Sequence, residues 1–418
     1  MKTNNINILI ALFSCLFVLL SCGSNILVQE NLGVEKYAGA YCSYIPGTFD
    51  DTKAPCGYKP FYISHYSRHG SRYAIHENDF NIVSEFEKFS AEGMLTQKGH
   101  ALLNDILKLR DEHDGMFSFL TQKGGNQQQE IAQRMATRFP LVFKKGGQVR
   151  CVSSPAQRCN QSLANFAISL SAEHNELDIS IHSGHKYYDI ISARISDSDI
   201  KKHHIRMRDS LIRISELPAN AIKELFNNPE SVNVDWAVMA RAVYNLCSIM
   251  QSQDYDAPKM DEYFTEEQLE ILWRAQNAYE YGLFSDTLSF GPYRKNQVAK
   301  PILNDFLVQA DFALAHGERV ADFRFGHDSG LTPLLTLLGL EGYDKQLKPE
   351  DAWKSWRNYE RVCMASNVQF VFYKHRNKDV IVKILRNEQE TYIPALTPVK
   401  GPYYSWNDLR EYIINILS

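Results

Sequence analysis

Regular patterning of apolar and polar positions begins near Lys59. The run Phe61-Tyr62-Ile63-Ser64-His65-Tyr66 reads as a β-strand, the breaker-containing Arg68-His69-Gly70 follows, and helix-compatible sequence continues through Leu109. A second unit has Gln148 to Ser153 as strand and Ala156 to Leu170 as helix; between them Ser154 can cap and Pro155 suits the first helical position. In a third unit Val320 to Phe325 alternates as a strand, Gly326-His327-Asp328-Ser329-Gly330 turns, and Leu331 to Leu340 runs apolar with Pro333 near its start. Strands feeding helices in this way predict an α/β fold, a three-layer core around a mostly parallel central sheet.

Between these units, residues 175–300 are richer in polar and helix-forming residues. Ala219 to Phe226 and Thr265 to Tyr281 read there as amphipathic helices, so the segment is expected to be an inserted, mainly α-helical cap. The catalytic core is then expected over 59–174 and 301–418. Within it, Ser366 to Tyr373 and Asp379 to Leu385 form a hairpin through His375-Arg376-Asn377-Lys378, and a closing helix runs from Trp406 to Ile416. Residues 22–58 carry Gly, Pro and Asp without strong periodicity and read as a linker and lead-in loops.

The N-terminus adds a different signal. Lys2 and a polar Thr-Asn-Asn stretch precede the apolar run from Ile8 to Leu20, too short for a comfortable bilayer span and suited to an export signal over residues 1–21. The run ends Leu19-Leu20-Ser21-Cys22, which resembles a bacterial lipobox, so Cys22 is the expected lipidation site and a membrane-anchored, exported lipoprotein the expected product. A plain cleaved signal with Cys22 incidental is the alternative. Beyond Cys15 and Cys22 six cysteines remain, in a compartment that permits disulfides; Cys42 to Cys56 is the expected pair, because both lie in a loop-rich stretch.

With 44% hydrophobic and 22% charged residues, the 418-residue chain can bury a sizeable core, and a net charge of −4 shows no global excess of Lys and Arg. Nucleic-acid binding and a polybasic membrane patch are thereby disfavoured, and any site for an anion must be local. No C-x-x-C pair points to zinc or to a thioredoxin-like site. His65 and His69 are four apart, but on a strand that spacing does not converge on a metal.

Ligands of such sheets bind beyond the carboxyl ends of the strands, where helix N-termini present free N–H groups. The first unit brings Arg68, His69 and Arg72 to that edge, the second Arg158, and the third His327 and Asp328. If the edges converge, three guanidiniums and two imidazoles surround one small volume with a carboxyl beside it. That is a site for a tetrahedral dianion, since arginine's planar fork pairs with phosphate oxygens and stays charged at any working pH.

The runs R-H-G-S-R at 68–72, S-S-P-A-Q-R at 153–158 and R-F-G-H-D-S at 324–329 resemble the motifs of the histidine acid phosphatase branch of the histidine phosphatase superfamily, over about residues 59–418. Within that branch, Phe325-Gly326-His327 leading to Leu334 to Leu340, together with Asn387-Glu388, is most similar to the multiple inositol polyphosphate phosphatases and phytases. The resemblance implies a phosphomonoester hydrolase with His69 as nucleophile, Asp328 as proton donor, and Arg68, Arg72, Arg158 and His327 holding the phosphate. It implies no metal, no cofactor and no obligate protein partner, only a small-molecule phosphomonoester, with phytate leading. The chain departs from the pattern at His327-Asp328-Ser329, where inositol polyphosphate phosphatases carry His-Ala-Glu and other phytases and acid phosphatases His-Asp. Tyr73 stands where many relatives have proline.

The densest basic run, Lys201 to Arg208, can either line a cap pocket through Lys201 and Lys202 or form a solvated helix face, and Arg294, Lys295 and Lys300 pose the same choice. A broad acid phosphatase or sugar phosphatase is the alternative within the same chemistry. A catalytically silent, surface-anchored ligand-binding lipoprotein is the alternative outside it.

Overall fold

The fold is that of a computed structural model, which describes residues 32–193, 198–253, 258–285 and 295–418. Cys22 and the expected export signal lie outside the described residues, as do Arg294 and the side chain of Lys295. No helix among the described residues is long and apolar enough to cross a membrane.

Among the described residues eight strands form one sheet: β1 (Lys59–Arg68), β2 (Gly147–Ser153), β3 (Leu177–Ser183), β4 (Arg319–Gly326), β5 (Asn367–His375), β6 (Lys378–Arg386), β7 (Gln389–Glu390) and β8 (Tyr403–Ser405). Their order is β3-β2-β4-β1-β5-β6-β7, with β8 paired to β6. The half carrying the three strand-to-helix units, β3-β2-β4-β1, is parallel. From β5 onward the pairing is antiparallel, beginning with the expected hairpin β5–β6.

Side chains of β1 alternate between two helical layers. Tyr62 and Tyr66 pack with Phe306, Leu334 and Leu409 from the helices Lys300–His316, Asp328–Leu337 and Trp406–Leu417. On the opposite face Ile63 meets Ile131, Met135 and Phe166 of the helices Gln122–Arg138 and Gln157–Glu173. His65 shares that face, its ring 5.5 Å from Phe166 and 5.7 Å from Phe323 and Phe325. Burial, helped by Arg324, pushes His65 down to about 3, so it is a neutral core residue.

A third apolar cluster is built mainly from helices. Phe86, Leu102 and Ile106, from the helices Asn81–Ala91 and Gln97–His113, pack with Val243, Leu246, Leu269 and Trp273, from Trp236–Met250 and Glu266–Phe284. Residues 81–113, read from the sequence as core, therefore pack with the helices of the 175–300 segment. Conversely β3, inside that segment, pairs with β2 and extends the sheet. Periodicity reveals that a helix is amphipathic but not which neighbour covers its face.

Three local readings change. The second helix starts at Gln157 rather than Ala156; Ser154 accepts from Ala156 N at 3.3 Å but does not serve as its N-cap, and turns toward His327 instead. The third helix spans Asp328–Leu337, three residues earlier than the apolar run suggested, because it begins directly after β4 with His327 at its N-cap. Cys42 and Cys56 are not joined: Cys42 is buried and its thiol donates to the Glu35 carbonyl at 2.9 Å, while Cys56 is exposed.

Candidate active site

Register brings the three motifs together. Arg68 at the end of β1 lies beside Gly326 of β4, and Ser153 at the end of β2 lies beside Phe325. The loops leaving these strands are stitched by backbone bonds: His69 N donates to Gly326 O (3.0 Å), Ser154 N to Phe325 O (3.0 Å) and Ala365 N to His69 O (2.9 Å). Behind the Arg-His-Gly loop lies the start of the helix Gln122–Arg138. The approach there is so close that a Cβ on Gly70 would fall 2.4 Å from Gly124 O, and one on Gly124 would fall 2.0 Å from Ser71 O.

His69 is 3% exposed. Its Nδ1 lies 2.9 Å from the carbonyl oxygen of Gly70, an obligate acceptor, so Nδ1 carries the proton and Nε2 is left with its lone pair. Burial, followed by Arg158, Arg68, Arg72 and His327, holds its pKa well below the ordinary histidine range. The side chain is therefore a neutral imidazole with a free nucleophilic nitrogen.

Three guanidiniums belong to the same site. Arg68 donates through Nη1 to the carbonyls of Ala40 (2.6 Å) and Val362, and its Nη2 lies 3.2 Å from Asp328 Oδ2. Arg72 donates to Tyr73 O (2.9 Å) and to the Tyr41 hydroxyl (3.2 Å). Arg158 donates to Ser118 Oγ and, from Nη2, to His327 Nδ1 at 3.4 Å. The buried Nε of each of the three has no partner among the described residues. The His327 ring lies 5.6 Å from that of His69, with Nε2 3.1 Å from Ser154 Oγ, and burial together with Arg158 pushes it down to about 3. Two neutral imidazoles and three cations thus surround one volume, as a phosphoryl group requires.

The sequence profile of the histidine phosphatase superfamily (branch 2) matches residues 66–207 and 216–387, three quarters of the chain. The chain belongs to the histidine phosphatase superfamily. Among its relatives are multiple inositol polyphosphate phosphatase 1 of Gallus gallus, 24% identical over 71% of this chain and 69% of the relative, and that of Homo sapiens, 23% identical over 76% and 70%. Its fold is similar to the Bifidobacterium longum multiple inositol polyphosphate phosphatase solved with inositol hexasulfate: TM-score 0.75 at 19% identity, covering 90% of this chain and 97% of that one. It is also similar to the D. castellii phytase, with TM-score 0.71 at 15% identity over 93% and 86%.

In this histidine phosphatase the carboxyl beside the phosphate site is Asp328, the first residue of its helix. Oδ1 accepts from Ser329 N at 2.8 Å and Oδ2 faces Arg68. Burial alone would raise its pKa, but Arg68, helped by the Ser329 N–H and Arg72, holds it below the usual carboxylate range.

The cap cations divide differently from the sequence reading. On the helix Ser198–Ile212 the buried positions recur every four residues, Ile200, His204, Arg208 and Ile212. Lys201 and Lys202 consequently lie on the exposed face, where Lys202 pairs with Asp199 at 3.7 Å with both side chains largely in water. The cation turned inward is Arg208, 4.8 Å from the Tyr279 ring and sharing Asp209 with Arg241. Tyr279 is also within electrostatic reach of Asp328. Lys300 is turned away from the site, donating to Leu417 O at 3.2 Å near the chain's end.

Several supporting residues carry no sequence signal. Ser71 N donates to Gln127 Oε1 (2.9 Å), Gln128 Nε2 to Arg68 O (3.0 Å) and Gly70 N to Ser162 Oγ (3.1 Å). Ser118 holds Arg158 from a backbone at φ 71°, an uncommon conformation for a residue with a Cβ. Arg324, although part of the third motif, does not reach the site: it is fully buried beneath the sheet against Asp305 at 2.6 Å.

Proposed function

We propose that the protein hydrolyses phosphomonoesters through a phosphohistidine on His69. The observation that carries this reading is the free, unprotonated Nε2 of His69 among Arg68, Arg72 and Arg158. In the first step Nε2 attacks phosphorus, the bond to the leaving oxygen breaks, and Asp328 gives that oxygen a proton. In the second the Asp328 carboxylate takes a proton from water, the resulting oxygen attacks phosphorus, and inorganic phosphate leaves with His69 restored. The guanidiniums neutralise charge on the transferring oxygens in both steps, with His327 beside them as a neutral hydrogen-bonding group.

The proposed substrate class is inositol polyphosphates, phytate first. The similarity to inositol polyphosphate phosphatases and phytases supports it, as does Arg208, a guanidinium turned inward against Tyr279 and sharing Asp209 with Arg241. The residue that follows His327 keeps a second reading open, a broad acid phosphatase or sugar phosphatase: an aspartate stands here, as in acid phosphatases and in phytases other than the inositol polyphosphate phosphatases. Export and lipidation at Cys22 are proposed from the leader sequence alone, and would be tested by mass spectrometry of the mature N-terminus.

The deciding assay compares inositol hexakisphosphate, glucose 1-phosphate and a chromogenic aryl phosphate, with and without chelator, beside His69→Ala. Chelator-resistant activity, strongest on inositol hexakisphosphate and absent in the variant, is expected. Activity that survives His69→Ala, or that chelator removes, contradicts the mechanism; equal rates on all three substrates contradict the inositol assignment alone.

A further inference from the structure

We propose that Tyr41 is a further phosphate-binding residue of this site, its phenolic O–H donating to an oxygen of the phosphoryl group held at Arg72. The proposal rests on the phosphatase reading above. Tyr41 closes the 3-10 segment Gly33–Tyr41, which the sequence presents as a linker.

The structure instead makes that segment a strap across the active site. Ala40 O accepts from Arg68 Nη1 at 2.6 Å, and the next residue, Tyr41, meets Arg72. The approach is fixed from behind: Gly39 has φ 59°, and a Cβ there would fall 2.6 Å from Asn358 Nδ2. Asn358 is itself fully buried, accepting from Trp273 Nε1 at 2.9 Å and donating to Glu280 Oε2 at 2.8 Å. Tyr41 is therefore placed by a rigid junction between cap and core rather than by a free loop.

The hydrogen-bond count at Tyr41 then points outward. Arg72 Nη2 donates to the phenol oxygen at 3.2 Å, and the guanidinium carbon lies 5.0 Å from the ring centroid. A phenol that accepts from a guanidinium keeps its own proton to give, and the cation makes it a better donor. Among the described residues no protein acceptor receives that proton. An anion held among the Arg68, Arg72 and Arg158 guanidiniums brings an oxygen to the same Arg72 side chain, next to the phenol.

Tyr41→Phe keeps the ring and removes only the hydroxyl; Tyr41→Leu removes both. Inorganic phosphate is the probe, read as a competitive inhibitor of turnover and as the shift in melting temperature it produces in the intact protein. Tyr41→Phe is expected to weaken phosphate about tenfold by both readouts, the scale of one hydrogen bond to a charged group. The melting shift is also read in a His69→Ala background, where binding is seen without turnover. The proposal is overturned if Tyr41→Phe binds phosphate as tightly as the parent while Tyr41→Leu does not, since the ring alone would then be at work. It is equally overturned if neither variant changes binding. Absence of hydrolysis by the parent, with phosphate binding still sensitive to Tyr41→Phe, would instead remove the phosphatase reading and leave the anion site.

Discussion

Arg68 Nη2 and Asp328 Oδ2 lie 3.2 Å apart, so the cation that flanks the nucleophile also neutralises the carboxyl required to act as an acid. In the free protein this pairing keeps Asp328 ionised, the form needed to activate water in the second step. A phosphate dianion entering the site competes for Arg68 and adds negative charge nearby, which raises the proton affinity of Asp328 at the moment a proton donor is needed. One ion pair thus poises a single carboxylate for both half-reactions.

Asp328→Asn separates the two leaving-group classes. An inositol or sugar oxygen departs poorly without a proton, whereas an aryl oxygen departs readily. Hydrolysis of inositol hexakisphosphate should fall by about 10²–10⁴-fold, the scale of general acid catalysis, while the phosphoryl-transfer step with an aryl phosphate falls much less. Pre-steady-state release of the aryl alcohol checks this; equal losses on both substrates would remove Asp328 from the proton-donor role.

The nucleophile should not show an ordinary histidine titration. Because burial and the surrounding guanidiniums hold His69 well below its usual range, the imidazole stays neutral as pH falls through about 6.5, the unperturbed value. Asp328, ionised in the free protein, gains the proton it must deliver as pH falls. The expected kcat/KM for inositol hexakisphosphate therefore rises from neutral toward acidic pH with no loss near 6.5, and a drop there is the contrary result.

Much of this site was legible because each motif reports its own local geometry. Arg68-His69-Gly70, Ser154-Pro155 and His327-Asp328 each end a strand, and parallel pairing of β1, β4 and β2 forces those ends to one edge. Distance along the chain hid the rest. Tyr41 and Ala40 lie in a stretch without periodicity, and they meet Arg72 and Arg68 only because Gly39 packs on Asn358, more than 300 residues away. The packing of the cap was hidden for a related reason: the helices Asn81–Ala91, Gln97–His113, Trp236–Met250 and Glu266–Phe284 are amphipathic, but their shared core is made by tertiary packing that no local pattern encodes. On Ser198–Ile212, counting basic residues favoured Lys201 and Lys202, whereas helical period selects Arg208 as the inward cation.

That distinction has a kinetic consequence. Arg208→Ala or Arg241→Ala should raise KM for inositol hexakisphosphate by about tenfold while leaving glucose 1-phosphate within about twofold, the loss of one charge-assisted contact to a remote phosphate. Lys201→Ala and Lys202→Ala should leave both substrates near the parent values. The reverse ranking would assign the cap's specificity to the exposed face.

Beneath the sheet, Arg324, Arg150 and Asp305 form a buried ion network, with Arg324 Nε 2.6 Å and Arg150 Nη2 3.2 Å from Asp305. Burial would raise the Asp305 pKa, but Arg324 and Arg150 prevail and lower it. Its stabilising contribution is fully present above the unfolded value, about 3.9, and is lost as pH falls through the lower folded value. Asp305→Ala leaves the fully buried Arg324 guanidinium without its carboxylate partner and should cost about 3–5 kcal/mol in denaturant unfolding at neutral pH. A cost below about 1 kcal/mol would place the network among surface pairs.

The covalent intermediate is the most direct test of the account. Turnover of an aryl phosphate by Asp328→Asn, in which both activation of water and phosphoenzyme breakdown are slowed, is stopped in alkali, where a phosphorus–nitrogen bond survives, and the peptides are mapped by mass spectrometry. One phosphate on His69, absent when His69→Ala is added, is the predicted result. No phosphoenzyme, or phosphate on any other residue, would contradict it.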